Sequence, residues 1–247
     1  MTVDQLFLVA GAFFLGGVLK GATGAGAPFL AVPVMAIVVD VPFAVAVFLV
    51  PNIVSNSWQA WRFRMHLPDR GFVFGFAGAG LAGAALGTVA LAGFSSRALT
   101  TAVALVVLVY VLFRLARPGW VLALASARLL VVPAGLVGGF FQGATGLSGP
   151  VSVTFMSAVG LPRPQFIVTM SLFFLAMALS QLPAQLALGV MTAERLGFSA
   201  LAVVPLLLGV PVGDALGRRV SHGAFDRIIM AVLTLLAIRL LLHGLFP

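Results

Sequence analysis

The sequence contains no cysteine, which excludes disulfides, thiolate metal sites and thiol chemistry. Charge is almost as scarce. Only 8% of the 247 residues are Asp, Glu, Lys or Arg, and 62% are hydrophobic, whereas a soluble domain carries about 25% charged residues. So few polar groups cannot clothe a water-facing surface, so most of the exterior must face lipid. Six residues are acidic. Asp4, Asp40, Asp69, Glu194 and Asp226 fall at expected segment ends or in loops. Asp214 lies four residues before Arg218, the spacing of an ion pair on one helix. His66, His222 and His243 are also in loops or at ends. No carboxylate pair, metal-ligand cluster or Ser/His/Asp arrangement survives, so no enzyme activity, metal or cofactor is expected.

What charge there is leans one way, to a net +8 from 14 basic residues. The arginines sit in short loops between apolar runs rather than on one polar face, which argues against nucleic acid as a partner and suits the positive-inside rule. The apolar stretch at residues 1–20 leads into small residues, as a signal peptide would. Its start carries Asp4 and no Lys or Arg, however, and the same small-residue motif recurs in mid-chain. The N-terminal segment is therefore read as retained.

That recurrence is the main organising signal. Gly16–Gly24 (GGVLKGATG) aligns with Gly138–Gly146 (GGFFQGATG) at an offset of 122 (138 − 16). The same offset relates Pro28 to Pro150, Pro42 to Pro164, Gln59 to Gln181, Gly75 to Gly197 and Gly87 to Gly209, which predicts one gap-free duplication. Each copy reads as five apolar segments, near 4–20, 28–39, 41–60, 71–93 and 98–115, then 124–142, 150–160, 163–190, 197–216 and 225–245. The second of each set is too short to span: 12 residues of helix rise about 18 Å against a hydrocarbon core of roughly 30 Å. Pro28 and Pro150 stand at its start, where proline suits the first helical turn. The first two segments of each half are thus expected to form a hairpin with a Gly-rich turn inside the membrane, buried in protein or lining a wet cavity.

An odd number of segments per half forces the second half to insert upside down. The expected fold is an all-α polytopic membrane protein of two inverted-topology repeats, residues 1–116 and 123–247, joined by a linker at 117–122. Ten arginines (Arg62, Arg64, Arg70, Arg114, Arg117, Arg128, Arg163, Arg218, Arg219 and Arg227) fall on one side of this arrangement, and Arg97, Arg195 and Arg239 on the other. The richer side is taken as the cytoplasm, with both termini periplasmic.

Inverted repeats with short or broken helices in matching places point to a transporter with a site at the midplane between the halves. The candidates are Gly21, Thr23, Gly24, Gly26 and Pro28, with their counterparts Gly143, Thr145, Gly146, Ser148, Gly149 and Pro150. Here unpaired N–H groups at a helix start accept anions without a basic side chain, and Thr23, Thr145 and Ser148 add hydroxyl donors. The alternative is that such glycines only let helices pack closely, the reading preferred for Gly78, Gly80 and Gly83. Lys20, the sole lysine, precedes the first turn, and its counterpart is Gln142. Ionisable residues at membrane depth are usually functional, although a lysine near a helix end can also snorkel to the interface. Asn52, Asn56 and Gln59 share one helical face. Gln59 and Gln181 are the polar pair matched by the repeat, and Thr169, Ser171 and Ser180 supply further polar groups.

At GATGAGAPFLAVP and GATGLSGP the sequence resembles the TauE/SafE (TSUP) family of bacterial membrane proteins, over essentially its whole length. The usual triple-glycine stretch is replaced by Gly24-Ala25-Gly26 and by Gly146-Leu147-Ser148-Gly149. The resemblance implies transport of small sulfur-containing or organic anions such as sulfite, sulfoacetate, other sulfonates or thiosulfate. The expected function is accordingly an inner-membrane secondary transporter, with export as the expected direction and alternating access around the midplane site. Its partners are the small anionic substrate, the bilayer and a proton or sodium ion as candidate coupling ion. The rival reading is a passive anion channel or a non-transporting membrane partner. Substrate-dependent flux and its response to an ion gradient separate the two.

Overall fold

The structure, a computed structural model, describes residues 2–117, 119–217, 231 and 234–239. It is all-helical over those residues. In chain order the helices are α1 (Val3–Thr23), α2 (Ala27–Val38), α3 (Val41–Arg62), α4 (Arg70–Gly93), α5 (Ser96–Ala116), α6 (Leu124–Thr145), α7 (Gly149–Val159), α8 (Arg163–Ala187) and α9 (Ala193–Gly217). Residues 234–239 are also helical. Apart from residue 231, which is helical, the other residues of the expected last segment, and the 218–227 loop with its arginines, His222 and Asp226, lie outside the described residues, as does His243. Among the described residues, seven helices (α1, α3, α4, α5, α6, α8 and α9) are long and apolar enough to cross a membrane. The other two, α2 and α7, have 12 and 11 residues, about 16–18 Å of rise.

The few carboxylates explain themselves locally. A helix start leaves four N–H groups without partners, and a side-chain oxygen satisfies one of them. Asp40 accepts from the Phe43 N–H at 2.6 Å to cap α3, and Asp69 from Phe72 at 2.7 Å to cap α4. Thr2 and Gln5 form a reciprocal capping box on α1. Where α1 and α6 end, Gly24 and Gly146 adopt φ of 91° and 74°, a left-handed conformation that glycine takes without penalty. Proline inside α3 is also accommodated: Pro51 cannot donate to the Val47 carbonyl, and the Ser199 hydroxyl of α9 donates to it instead at 2.7 Å.

Side-chain contacts fix the helix directions. Phe13 stacks on Phe48 and Lys20 reaches Asn56, so α1 and α3 run parallel. Ser199 meets Val47 while Asp214 faces Arg62, so α9 runs with them. In the other set, Gly138 abuts Phe173 and the Gln142 carbonyl accepts from Gln181, which makes α6 and α8 parallel. Phe76 stacks on Phe173 and Ser180 donates to the Leu81 carbonyl, which adds α4. Arg163, at the start of α8, meets the end of α1, so the two sets are antiparallel. The first half thus contributes two helices to one set and one to the other, and the second half does the reverse. This is an inverted repeat, and α1 and α3 lie in the opposite sense to α6 and α8.

The halves interlock through glycine. A Cβ on Gly17 or Gly21 would collide with the carbonyl of Leu206 or Val210 on α9, and one on Gly209 or Gly213 with that of Phe14 or Val18 on α1. The pattern repeats between α6 and α4. There Gly139 and Gly143 face the carbonyls of Gly80 and Ala84, while Gly83 and Gly87 face those of Leu136 and Phe140. Lipid supplies no hydrophobic drive between helices, so close backbone approach and the Cα–H···O contacts it permits hold such pairs together.

These contacts correct the register read from sequence. Phe14 and Val18 correspond to Leu136 and Phe140, as the offset of 122 requires. The glycines facing them are Gly209 and Gly213 in one pair and Gly83 and Gly87 in the other. Gly87 therefore matches Gly213, not Gly209, and the repeat is not gap-free. α9 begins 123 residues after α4 (193 − 70), so most of the extra residues fall in the first part of α9, ahead of Gly209. A second correction concerns Gly78, which has nothing within 4 Å of a built Cβ and takes no part in packing, while Gly80 and Gly83 do.

Replacing Gly17 or Gly139 with leucine is expected to destabilise the purified protein by at least the 1–3 kcal/mol, roughly, that overpacking costs. Gly11→Leu and Gly78→Leu, which point into open space, should leave the thermal midpoint within a degree or two. Equal melting of all four variants would contradict the packing described.

Candidate functional site

Helical Cα–Cβ bonds tilt toward the N-terminus, so a residue near the end of α1 aims its side chain back into the bundle. Lys20 does so. It is 2% exposed, which excludes snorkelling. Its ammonium donates to Asn56 Oδ1 at 2.7 Å and lies 5.7 Å from the centre of the Phe174 ring, within cation–π range. The Asn56 amide donates in turn to the Asn52 carbonyl and Oδ1, both at 2.7 Å. One turn on, Gln59 Oε1 accepts from the Ser171 hydroxyl of α8 at 3.4 Å. All six residues are buried. The shared face of α3 expected for Asn52, Asn56 and Gln59 is therefore an inward face, and α1, α3 and α8 build a charged focus from it. No carboxylate pairs with Lys20 among the described residues. A buried charge without a counter-charge costs several kcal/mol, and an ammonium has three donors.

A second focus lies between α6, α7 and α8. Gln142 Oε1 accepts from the Ser148 N–H at 3.2 Å, and the Gln142 carbonyl from Gln181 Nε2 at 3.4 Å. Gln181 follows Phe174 on α8 by seven residues, about 10 Å of rise, so the two foci are distinct. The residues expected to form one site are brought to two neighbouring places related by the repeat. The first carries the cation and the second is neutral. Ser148 Oγ, Gln181 Oε1 and both amide atoms of Gln185 are buried without a hydrogen-bond partner among the described residues, as are Asn52 Nδ2 and Thr169 Oγ1. Each such orphan costs about 1–3 kcal/mol. Gln185 did not emerge from the sequence reading, although it lies one turn beyond Gln181. Ser180 is occupied as a link to α4.

The two turns act mainly as scaffolds. Thr23 Oγ1 donates to the Leu19 carbonyl and accepts from the Ala25 N–H. Thr145 likewise donates to Phe141 and accepts from Leu147, so both hydroxyls brace their own turns. Gly21 and Gly143 do not meet each other, because one is covered by α9 and the other by α4. The turns are instead linked through α2: Gly149 lies under the Phe29 ring, and Gly146 rests on Val32 and Val45. Pro28 and Pro150 occupy the first turns of α2 and α7, and Gly26 precedes α2 as its N-cap. The N–H groups of Gly26, Ala27 and Gly149 have no acceptor among the described residues.

Beyond Lys20, toward the end of α1, lies a charged layer. Arg163 donates to the Gly21 carbonyl at 3.0 Å and to Asp214 Oδ1 at 3.1 Å, and Arg62 approaches Asp214 Oδ2 at 3.8 Å. A cation at the carbonyl end of a helix also complements its dipole. The partner expected for Asp214 was Arg218, which lies outside the described residues. The described arginines that Asp214 meets come from α3 and α8, brought in by the fold.

Seven long apolar helices, two short ones beginning at matched glycine turns and polar groups buried between inverted halves define a polytopic membrane protein of the inverted-repeat class. Residues 9–240 match the family described as Sulfite exporter TauE/SafE, and the chain belongs to that family. The matched range includes both halves and both polar foci, so the chain is a multi-pass membrane protein of a transporter family. No curated protein and no solved structure matches it.

Proposed function

We propose that the protein is a secondary transporter that exports sulfite, or an equally small sulfur oxyanion or sulfonate, across the bacterial inner membrane, with the anion held at the Lys20 focus. The observation that carries this reading is a buried lysine with an asparagine and an aromatic ring beside it and, among the described residues, no carboxylate partner. Carrying an anion through hydrocarbon is prohibitive unless fixed dipoles and charge replace its water. The spare donors of Lys20 supply the charge. The Asn52 amide of α3 and the N–H groups at the start of α2 that have no acceptor among the described residues supply dipoles. Charge-assisted hydrogen bonds of about 1.5–3 kcal/mol each bind such an ion without holding it irreversibly. Alternating access follows from the arrangement of two inverted halves around the foci, residues 1–116 and 123–247 being the two units.

The orientation we propose puts both termini in the periplasm. The end bearing Arg62, Arg64, Arg128 and Arg163 also carries Trp58 and Trp61, partly exposed with arginines stacked on them, the composition of a cytoplasmic interface.

Two experiments check these statements. In proteoliposomes, wild-type protein should accumulate sulfite against its concentration when a proton or sodium gradient is imposed, and Lys20→Gln should weaken sulfite binding by about tenfold to a hundredfold without lowering the thermal midpoint. Flux that only equilibrates sulfite identifies a passive channel, and unchanged binding in Lys20→Gln removes the lysine from the site. For orientation, Met65, 83% exposed in the connection between α3 and α4, replaced by cysteine should resist membrane-impermeant maleimide in intact cells and react after permeabilisation. Reaction in intact cells reverses the topology.

A further inference from the structure

We infer that the neutral focus of Gln142, Ser148, Gln181 and Gln185 is a second resting position for the transported anion, about 10 Å from the first along α8. This rests on the reading that Lys20 holds the anion. Gln185 is wholly buried and neither its Oε1 nor its Nε2 has a partner among the described residues. Gln181 Oε1, one turn away, and Ser148 Oγ, at the start of α7, are in the same condition. Packing does not require three unpaired polar side chains in one place, and leucine would fill the same space without orphaned groups.

The chemistry favours an anion over a cation. The Gln185 amide and the Ser148 hydroxyl can each donate, and the Gly149 N–H opens α7 without an acceptor among the described residues. No Asp or Glu occurs on α4, α6, α7 or α8, so none of these four helices offers a cation a compensating charge. The position is also related to Lys20 by the repeat, with Gln142 in the place of the lysine. Conduction requires binding that is favourable enough to enter yet weak or divided enough to leave. A charged position followed by a neutral one meets that requirement: the lysine draws the anion from one side and the amides receive it on the way to the other.

The test is a comparison of sulfite binding with sulfite flux in reconstituted full-length protein. Gln185→Leu should bind sulfite within about threefold of wild type at the Lys20 focus but transport it at least about tenfold more slowly, the effect of one lost donor. Gln185→Glu should be slower still, because its charge repels the anion. Ser148→Ala, a smaller change, should follow Gln185→Leu in direction and keeps the test open where the leucine variant fails to fold. Wild-type flux in these variants would overturn the inference, and so would sodium-stimulated flux in Gln185→Glu, which would make the position a cation site. Loss of binding in Lys20→Gln reports on the first position alone, so failure of either reading is seen separately.

Discussion

Glycine against carbonyl, at the two places where α1 meets α9 and α6 meets α4, is the contact on which the rest of the protein depends. In lipid, helices associate by close packing rather than by hydrophobic expulsion, and here the closest packing joins opposite halves. Each half contributes a glycine-rich helix that finds its partner in the other, so neither has a complete surface of its own. The interlock carries α3 and α8 into the centre, since both pack on these pairs and together bear half of the buried polar residues among those described. It also holds the glycine turns and short helices α2 and α7 beside those groups.

The polar centre is a consequence of the same constraint. Backbone and charge that enter hydrocarbon must be satisfied within the protein. Most are: Asp40 and Asp69 cap helices, the threonines close their turns, Ser199 takes the carbonyl freed by Pro51, and Arg163 with Asp214 seals the end of α1. Against that background the exceptions stand out. Among the described residues Lys20 has no carboxylate partner, and Ser148, Gln181 and Gln185 have orphaned atoms. The lysine lies where the halves meet, against Phe174 of α8, and the orphaned serine and glutamines belong to α7 and α8 of the second half.

Much of this was legible in the sequence, because hydrocarbon imposes it. Segments of about twenty apolar residues, two short ones opened by Pro28 and Pro150, and the inversion all follow from length, proline position and parity, and helices α1 to α9 lie within a few residues of expectation. The register of the fourth segments was not legible, for a physical reason. Gly83 and Gly87, like Gly209 and Gly213, are spaced by four, so a slip of one helical turn lays glycine on glycine. Only the carbonyls they face reveal it. The grouping of the polar residues was half legible. The shared face of Asn52, Asn56 and Gln59 is a local matter of helical spacing. The division into a charged and a neutral focus depends on which helices the glycine contacts bring together. The link from Asp214 to Arg163 crosses 51 positions and leaves no local pattern.

The central claim is that a small oxyanion supplies a counter-charge to Lys20. Crystals of the protein grown with selenite, which replaces the sulfur of sulfite with an anomalous scatterer, test it most directly. The account predicts an anomalous peak within hydrogen-bond reach of Lys20 Nζ, between α1, α3 and α8, that is absent in Lys20→Gln. Selenium density only at the exposed arginines, with the Lys20 focus unchanged at saturating anion, would contradict it.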